Sequence, residues 1–281
     1  MNPIRINDHM VTNDDLIITN RIKKNSECAA PHGRLFQVLD IDHTCGRRIV
    51  REIACNTVVV GGAILALENI TGATASWKPK TLNDIHNVNA GSLPAGVTPK
   101  LALFGIGTGG ANLEFGSVIS PDIKQHDILN PIPIRYGAAV TGDDSANYFM
   151  KQSNGESGTY SWYLKKFTGD PVIKSCWKDA ISSEEDGTVI ATDIHGSDKT
   201  EGIETFTEIQ IDLNTLDGRE YFEATKVANP RYNTIGFYTG SLNEAGTEYG
   251  DVRLYSAVSF NNRDLTISSK SQFIYRIYSL I

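Results

Sequence analysis

The chain has 281 residues, of which 40% are hydrophobic and 21% charged, and its formal net charge is −7. This composition is ordinary for a folded protein and excludes extensive disorder. The acidic balance argues against a nucleic-acid-binding surface, because contacts to phosphates need clustered lysine and arginine side chains.

The first part of the chain is expected to hold an arm or first strands, followed by one main helix. Residues 1–45 lack strong periodicity. From residue 47 to about 70 the apolar residues follow a helical spacing, and Gly72 is placed to end that helix. The residues of this stripe are Ile49, Ile53, Val60, Ile64 and Leu67. Gly61 and Gly62 weaken the middle of the helix and indicate a kink or close helix packing.

The middle of the chain is rich in glycine, proline and asparagine, which predicts long loops around a small strand core. One apolar strand is expected at 101–104. Prolines alternate in residues 131–136, a pattern typical of an edge strand or of a link between domains. We therefore place a domain boundary near residue 130.

Beyond residue 130, short alternating segments predict a series of strands, the last of which ends the chain. These segments are 159–165, 188–192, 208–213, 233–238, 251–260 and 271–281. Asp217 is expected to cap one short helix that ends near Asn229 and Pro230. Spacing and turn residues favour an antiparallel sandwich or barrel.

The predicted fold class is thus α+β and predominantly β. A C-terminal antiparallel β-sandwich or barrel is joined to a smaller N-terminal part that contains one main helix. The expected domains are an arm or first strands (1–45), a loop-rich α+β domain with the helix (46–130) and the sandwich (131–281).

The start of the chain lacks the basic, apolar and small-residue order of a signal peptide, so we expect synthesis and folding in the cytoplasm. No apolar run reaches the roughly 18 residues that span a bilayer, and no membrane contact is expected. Four cysteines without a framework spacing are expected to be reduced thiols: Cys28, Cys45, Cys55 and Cys176.

Two cysteines and two histidines near the N-terminus form a C-x3-H…H-x-C pattern of zinc-ligand types: Cys28, His32, His43 and Cys45. Because its spacing matches no standard finger, we predict small core thiols and loop imidazoles and no bound metal. The glycine run at 105–110 superficially suggests a phosphate-binding loop. A strand pattern follows it where such a loop needs a helix, so we predict a flexible or close-packed turn and no cofactor.

Acidic pairs at Asp143 with Asp144 and at Glu184 with Glu185 are residue types that serve hydrolysis or bind calcium. Adjacent acids in loops rich in serine and glycine are usually solvated turn residues, and the six histidines stand in no catalytic motif. We predict no catalytic residue. Aromatic residues concentrate after residue 159, which favours a sandwich core and leaves open a sugar-binding platform or a protein interface.

Several segments, in order, resemble virion structural proteins of large tailed bacteriophages. They are residues 103–110, 130–136, 163–173, 219–224 and the closing strands. The resemblance covers about residues 55–281, and it implies a particle component that carries no catalytic residues. It does not choose between neck, tail, baseplate and capsid surface.

We therefore expect a non-enzymatic structural subunit of a tailed-phage virion, in its neck or tail/baseplate assembly. Its expected partners are other virion proteins and copies of itself in a symmetric ring, with synthesis in the host bacterial cytoplasm and a final place in the particle. Alternatives are a capsid decoration protein, a β-sandwich that binds host glycans through Trp162 or Trp177, and a hydrolase using Asp143 or Glu184. The interface candidates are Gly105, Gly107, Gly109, Pro131, Pro133, Arg135, Tyr136, Phe273, Tyr275 and Tyr278.

Overall fold

The computed structural model describes residues 9–11, 15–17, 32–42, 47–112, 117–138, 146–155, 158–177, 203–265 and 271–279. The chain forms two compact units. Unit 1 contains Met1–Cys55, Thr168–Asp212 and Ser271–Ile281, and unit 2 contains Asn56–Phe167 and Leu213–Lys270. Neither unit is one continuous stretch, and their limits differ from the predicted boundaries at 45 and 130.

Strands dominate the described residues, as predicted. In chain order they are β1 (His9–Val11), β2 (Asp15–Ile17), β3 (His32–Asp42), β4 (Arg47–Cys55), β5 (Thr57–Val58), β6 (Lys100–Gly107), β7 (Pro131–Ile132), β8 (Arg135–Gly137), β9 (Tyr148–Ser153), β10 (Tyr160–Lys166), β11 (Val172–Trp177), β12 (Ile203–Leu213), β13 (Arg231–Leu242), β14 (Tyr249–Asp264) and β15 (Ser271–Ser279). The helices are α1 (Val60–Thr71), α2 (Leu82–His86) and α3 (Arg219–Ala224).

Unit 1 is built on a seven-stranded sheet in the order β1-β2-β4-β3-β15-β12-β11. Its strand β2 runs parallel to β4, whereas β15 pairs antiparallel with β3. The terminal strand lies in the interior of the sheet, and its residues Phe273, Ile274 and Tyr275 are fully buried. A side chain at Gly33 would collide with the Tyr275 ring, so glycine there lets the ring lie across β3.

Unit 2 is built on an eight-stranded sheet with the path β5-β14-β13-β6-β10-β8, in which β7 pairs with β6 and β9 with β10. Every residue of β13 from Tyr232 to Ser241 is buried, so this central strand is covered on both faces. One side of the unit holds an apolar cluster: Val59, Leu82, Leu103, Ile128, Phe149, Met150, Leu164, Tyr238, Tyr249, Val252, Leu254 and Ala257. The short helix α2 contributes Leu82 to this cluster, and the Thr81 side chain caps the helix by accepting from the Asp84 N–H at 3.0 Å.

The helix predicted from residue 47 to about 70 is correct only over α1. It ends as expected at Gly72, whose φ of 68° is the left-handed conformation typical of a helix C-cap. Residues 47–55 form β4, because pairing with β3 outweighs a spacing that suits either structure. The glycines inside α1 serve close packing, since a Cβ on Gly61 would lie 2.9 Å from the Leu254 carbonyl oxygen.

Asp217 does not cap α3, and this prediction is wrong. The residue before the helix is Gly218, which has a φ of 74° and makes no side-chain cap. The Asp217 side chain turns inward and is fully buried. The predicted strand at 188–192 lies outside the described residues.

Candidate functional site

A buried polar network lies where β10 meets the turn before α3. Lys165 Nζ lies 2.6 Å from Asp217 Oδ2, and the two side chains are 11% and 0% exposed. The Tyr148 hydroxyl donates to Asp217 Oδ1 at 2.8 Å, and the Asn214 backbone N–H donates to Asp217 Oδ2 at 2.9 Å. Both carboxylate oxygens of Asp217 therefore have donors, which come from β9, β10 and the turn.

The local sequence explains how Asp217 reaches this position. Asn214 Oδ1 accepts from the backbone N–H groups of Leu216 and Asp217, which forms the type of tight turn that asparagine favours. The Asn214 side-chain amide then donates to the Tyr148 hydroxyl oxygen at 2.9 Å. One asparagine thus shapes the turn and joins it to β9.

Burial dominates the electrostatics of this network. It raises the pKa of Asp217 above its ordinary value, although the neighbouring Lys165 ammonium acts in the opposite direction. Burial, followed by the charge of Asp217, also raises the pKa of Tyr148 well above its usual range. The tyrosine hydroxyl therefore stays protonated and acts as a donor at physiological pH.

A second ion pair joins the proline segment 131–136 to α3. The guanidinium of Arg135 binds Glu220 through Nε at 2.9 Å and through a terminal nitrogen at 3.1 Å. The Tyr136 backbone N–H donates to the same carboxylate at 3.1 Å. Since Glu220 lies in the first turn of α3, its negative charge is also favourable for the helix.

A third polar group is centred on Asp127. Its carboxylate lies 3.1 Å from His86 Nε2 and accepts the Tyr238 hydroxyl at 2.5 Å. The imidazole stacks on the Tyr163 ring with centroids 5.8 Å apart. A carboxylate that orients a histidine is one part of a hydrolytic site, but the hydrogen bonds and ring contacts found for this imidazole include no serine or cysteine.

Among the described large apolar side chains of unit 2, the three most exposed lie in α1 and in the segment that follows it. Leu67, Ile70 and Trp77 are 62%, 81% and 59% exposed. Leu67 and Ile70 are three residues apart and share one face of the helix. The segment that carries Trp77 is joined to α1 at the next residue, where Lys78 Nζ lies 2.9 Å from Glu68 Oε1. We call these three residues the α1 patch.

The predicted contact glycines have internal roles. Gly105 and Gly107 lie within β6, and Gly109 follows it; all three are buried. A Cβ on Gly107 would lie 2.8 Å from the Leu129 carbonyl oxygen, and one on Gly109 would lie 2.7 Å from the same atom. Close backbone approach thus explains the glycine run, in agreement with the close-packed alternative. Contact with a partner stays a prediction.

The other predicted contact elements are also built into the two sheets. Pro133 is buried, and Pro131 pairs with Gly107 in β6. Tyr136 makes an edge contact with the ring of Tyr221, with centroids 5.8 Å apart. The strand β15 lies between β3 and β12, and the side chains of Phe273 and Tyr275 are fully buried. The side chain of Tyr278 falls outside the described part of the chain.

Several sequence candidates cannot be placed. Cys28, His43, Cys45 and the acidic residues Asp143, Asp144, Glu184 and Glu185 lie outside the described residues, as does the side chain of His32. Within the described part, no group of three histidine, cysteine or acidic residues is arranged to hold a metal ion. Cys55 is disulfide-bonded, so the expectation of four reduced thiols is wrong.

Most of the described aromatic side chains lie in the core, which is the interpretation that the sequence favoured. Trp162 is only 6% exposed, so it cannot present a ring to a glycan, which corrects that part of the carbohydrate alternative. The side chain of Trp177 is not among those described. Trp77, which the sequence interpretation did not single out, is the well-exposed tryptophan of unit 2.

Comparison of the chain with models of protein families, with curated proteins and with solved structures finds no match. Across the described ranges, every helix is too short or too polar to cross a bilayer.

Sequence reasoning missed both the Asp217 network and the α1 patch. Lys165 and Asp217 are far apart in the chain, and no spacing rule links them. The position of Asp217 before a helix indicated a cap. For the α1 patch the sequence did contain a signal. Apolar residues of α1 lie on all sides of the helix, and no single face of it is polar.

Proposed function

We propose that the protein is a non-enzymatic structural subunit of a tailed-phage virion, in the neck or tail/baseplate assembly. It acts through contacts with copies of itself in a ring and with other virion proteins. The observation that carries this proposal is the α1 patch, because each of its three large apolar side chains is more than half exposed, and exposed apolar surface is what a protein contact covers.

The α1 patch suits a permanent contact better than a catalytic role. Its three large side chains are apolar, and Trp77 is of the type enriched among residues that dominate binding energy. Covering Ile70 and Leu67 in a neighbouring copy would remove from water two side chains that are now more than half exposed. Burial of each such side chain stabilises an interface by roughly 1.5–3 kcal/mol before the costs of association.

A symmetric ring offers one copy's patch to a complementary surface on the next copy. The finer expectation of a C-terminal β-sandwich or barrel over residues 131–281 remains part of this proposal. It is supported by the antiparallel pairing of β13 with β14 and of β9 with β10.

The test is the oligomeric state of patch variants. Light scattering after size exclusion should give a ring-sized mass for the wild type and a smaller mass for Ile70→Ser. The matched control is Ile173→Ser, which removes an equally exposed isoleucine (75% against 81%) in unit 1. It should keep the wild-type mass.

Two outcomes would contradict the proposal. In the first, the wild type stays monomeric over the accessible concentrations and purified particles of the phage that encodes it lack the chain. In the second, Ile70→Ser and Ile173→Ser assemble alike, which would remove the α1 patch from the interface. Circular dichroism of both variants excludes loss of folding as the cause of a smaller mass.

A further inference from the structure

The Asp217 network places an amine against a carboxyl group in a closed interior. Lys165 lies in β10, where it pairs with Phe104 of β6 on one side and Tyr148 of β9 on the other. Its Nζ is 2.6 Å from Asp217 Oδ2 and 5.4 Å from the centre of the Tyr148 ring. Both reacting groups are thus held in position by the backbone elements that carry them.

We propose that Lys165 Nζ and Asp217 Cγ condense to form an intramolecular isopeptide bond. The Nζ–Cγ bond forms and the bond from Cγ to Oδ2 breaks. Nζ gives up the two protons that distinguish an ammonium from an amide nitrogen, and both leave with Oδ2 as water. The reaction needs no oxidant, reductant or co-reactant, because an amine and a carboxylic acid contain every atom of the products.

The protonation of Asp217 fits this step. An amine attacks only when it is neutral, and a carboxyl group loses water more readily when it is protonated. Burial favours the neutral form of the Asp217 carboxyl group, since a charge is costly away from water. The raised pKa of Asp217 has the direction that this requires. The short contact between Nζ and Oδ2 is the path for the proton.

The other two contacts of Asp217 have separate tasks. The Tyr148 hydroxyl donates to Oδ1, the oxygen that gains negative charge when Nζ attacks, and so stabilises the tetrahedral intermediate. The Asn214 backbone N–H donates to Oδ2, the oxygen that leaves. Fixed proximity in a folded chain replaces a chemical activating group, because well-oriented intramolecular reactions reach effective concentrations of about 10⁵ M or more.

The bond has a defined place in the chain. The segment 168–212 of unit 1 leaves unit 2 after Phe167 and returns at Leu213. An isopeptide bond between Lys165 and Asp217 closes a loop around this whole segment, close to its two ends. The inserted segment would then be anchored covalently at its entry and exit.

The experiment is intact mass spectrometry of the denatured, fully reduced full-length chain. The main species of the wild type should be lighter than the sequence mass by one water, and Lys165→Arg should restore the full mass. Arginine keeps the positive charge and can still pair with Asp217, but it does not form this amide. Digestion of the wild type should also give a branched peptide that joins residues 165 and 217.

Asp217 precedes Gly218, and this dipeptide can lose water by a different route, the formation of a cyclic succinimide. That product would persist in Lys165→Arg and give no branched peptide. A second variant, Tyr148→Phe, keeps the ring packing and removes the donor to Oδ1, so it should slow the appearance of the lighter species. A wild type of full sequence mass, or a water loss unchanged in Lys165→Arg, would show that the contact is only a buried ion pair.

Discussion

The glycine run after β6 allows a direct test of whether these residues pack the interior or contact a partner. In Gly109→Ala the added Cβ would lie 2.7 Å from the Leu129 carbonyl oxygen and closer still to the Leu129 Cβ. Real Cβ atoms do not approach backbone so closely, so the two chain segments have to separate. The same segments are joined by the hydrogen bond from the Gly109 N–H to the Leu129 carbonyl at 3.2 Å.

The expected cost follows from these two contacts. Overpacking a well-filled interior costs about 1–3 kcal/mol, and the weakened hydrogen bond adds about 1 kcal/mol. We therefore expect Gly109→Ala to lower the free energy of unfolding by about 2–4 kcal/mol. The measurement is urea unfolding followed by tryptophan fluorescence, with the change taken from the transition midpoint at constant slope.

A matched control separates steric from conformational cost. Gly155 has a φ of 80° and no atom within 4 Å of an added Cβ, so Gly155→Ala meets only the strain of the left-handed conformation. That strain is about 1–2 kcal/mol. The reasoning is refuted if Gly109→Ala unfolds at the wild-type midpoint but fails to assemble, because the glycine would then serve a partner.

Three further predictions concern acid stability, the thiols and the chain end. Burial raises the pKa of Glu248 above its ordinary 4.5, so its contribution to the free energy of unfolding is full below about pH 4.5 and is lost as the pH rises through the folded-state pKa. Between pH 4.5 and neutral pH, the urea midpoint of Glu248→Gln should therefore fall less than that of the wild type. An equal fall of the midpoint in both proteins would contradict this. Alkylation of the denatured, unreduced chain should modify at most two of the four cysteines, since Cys55 and its partner are oxidised; four modified thiols would disprove the bond. Deletion of residues 271–281 should remove hydrogen-exchange protection from β3 and β12 and leave β13 and β14 protected. Deletion of 280–281 alone should leave all four strands protected. Retained protection of β3 in the longer deletion would show that β15 is dispensable.

Much of the strand content was predictable because the signal is local. Alternation of apolar and polar residues with a period of two extends through β10 and β14, and such regular patterns have few alternative structures. The helix predicted across β4 and α1 was wrong over β4, because that prediction also used only local spacing. Ile49 and Ile53 fit one face of a helix, and nothing within that window reveals that β3 is available to pair with β4.

The candidate site could not be predicted in the same way. Its residues come from β9, β10 and the turn before α3, and only the completed topology brings them together. Lysine and aspartate are usually exposed, so their occurrence in a sequence favours the surface. A buried position for both follows from the strand pairing of Lys165 and from the turn that Asn214 shapes, and neither is a property of residue type.

Each unit is built from separate stretches of the chain, and this affects the order in which the two sheets form. The sheet of unit 2 contains β13 and β14, which are neighbours in the chain and pair over most of their length. The sheet of unit 1 needs β3 from the beginning of the chain and β15 from its end. Because contacts between distant segments carry a larger loop-closure cost, we infer that the local pair in unit 2 forms before the unit 1 sheet is complete. Lys165 and Asp217 both belong to unit 2, so a covalent bond between them would keep the two ends of the inserted segment 168–212 joined even while the unit 1 sheet is open.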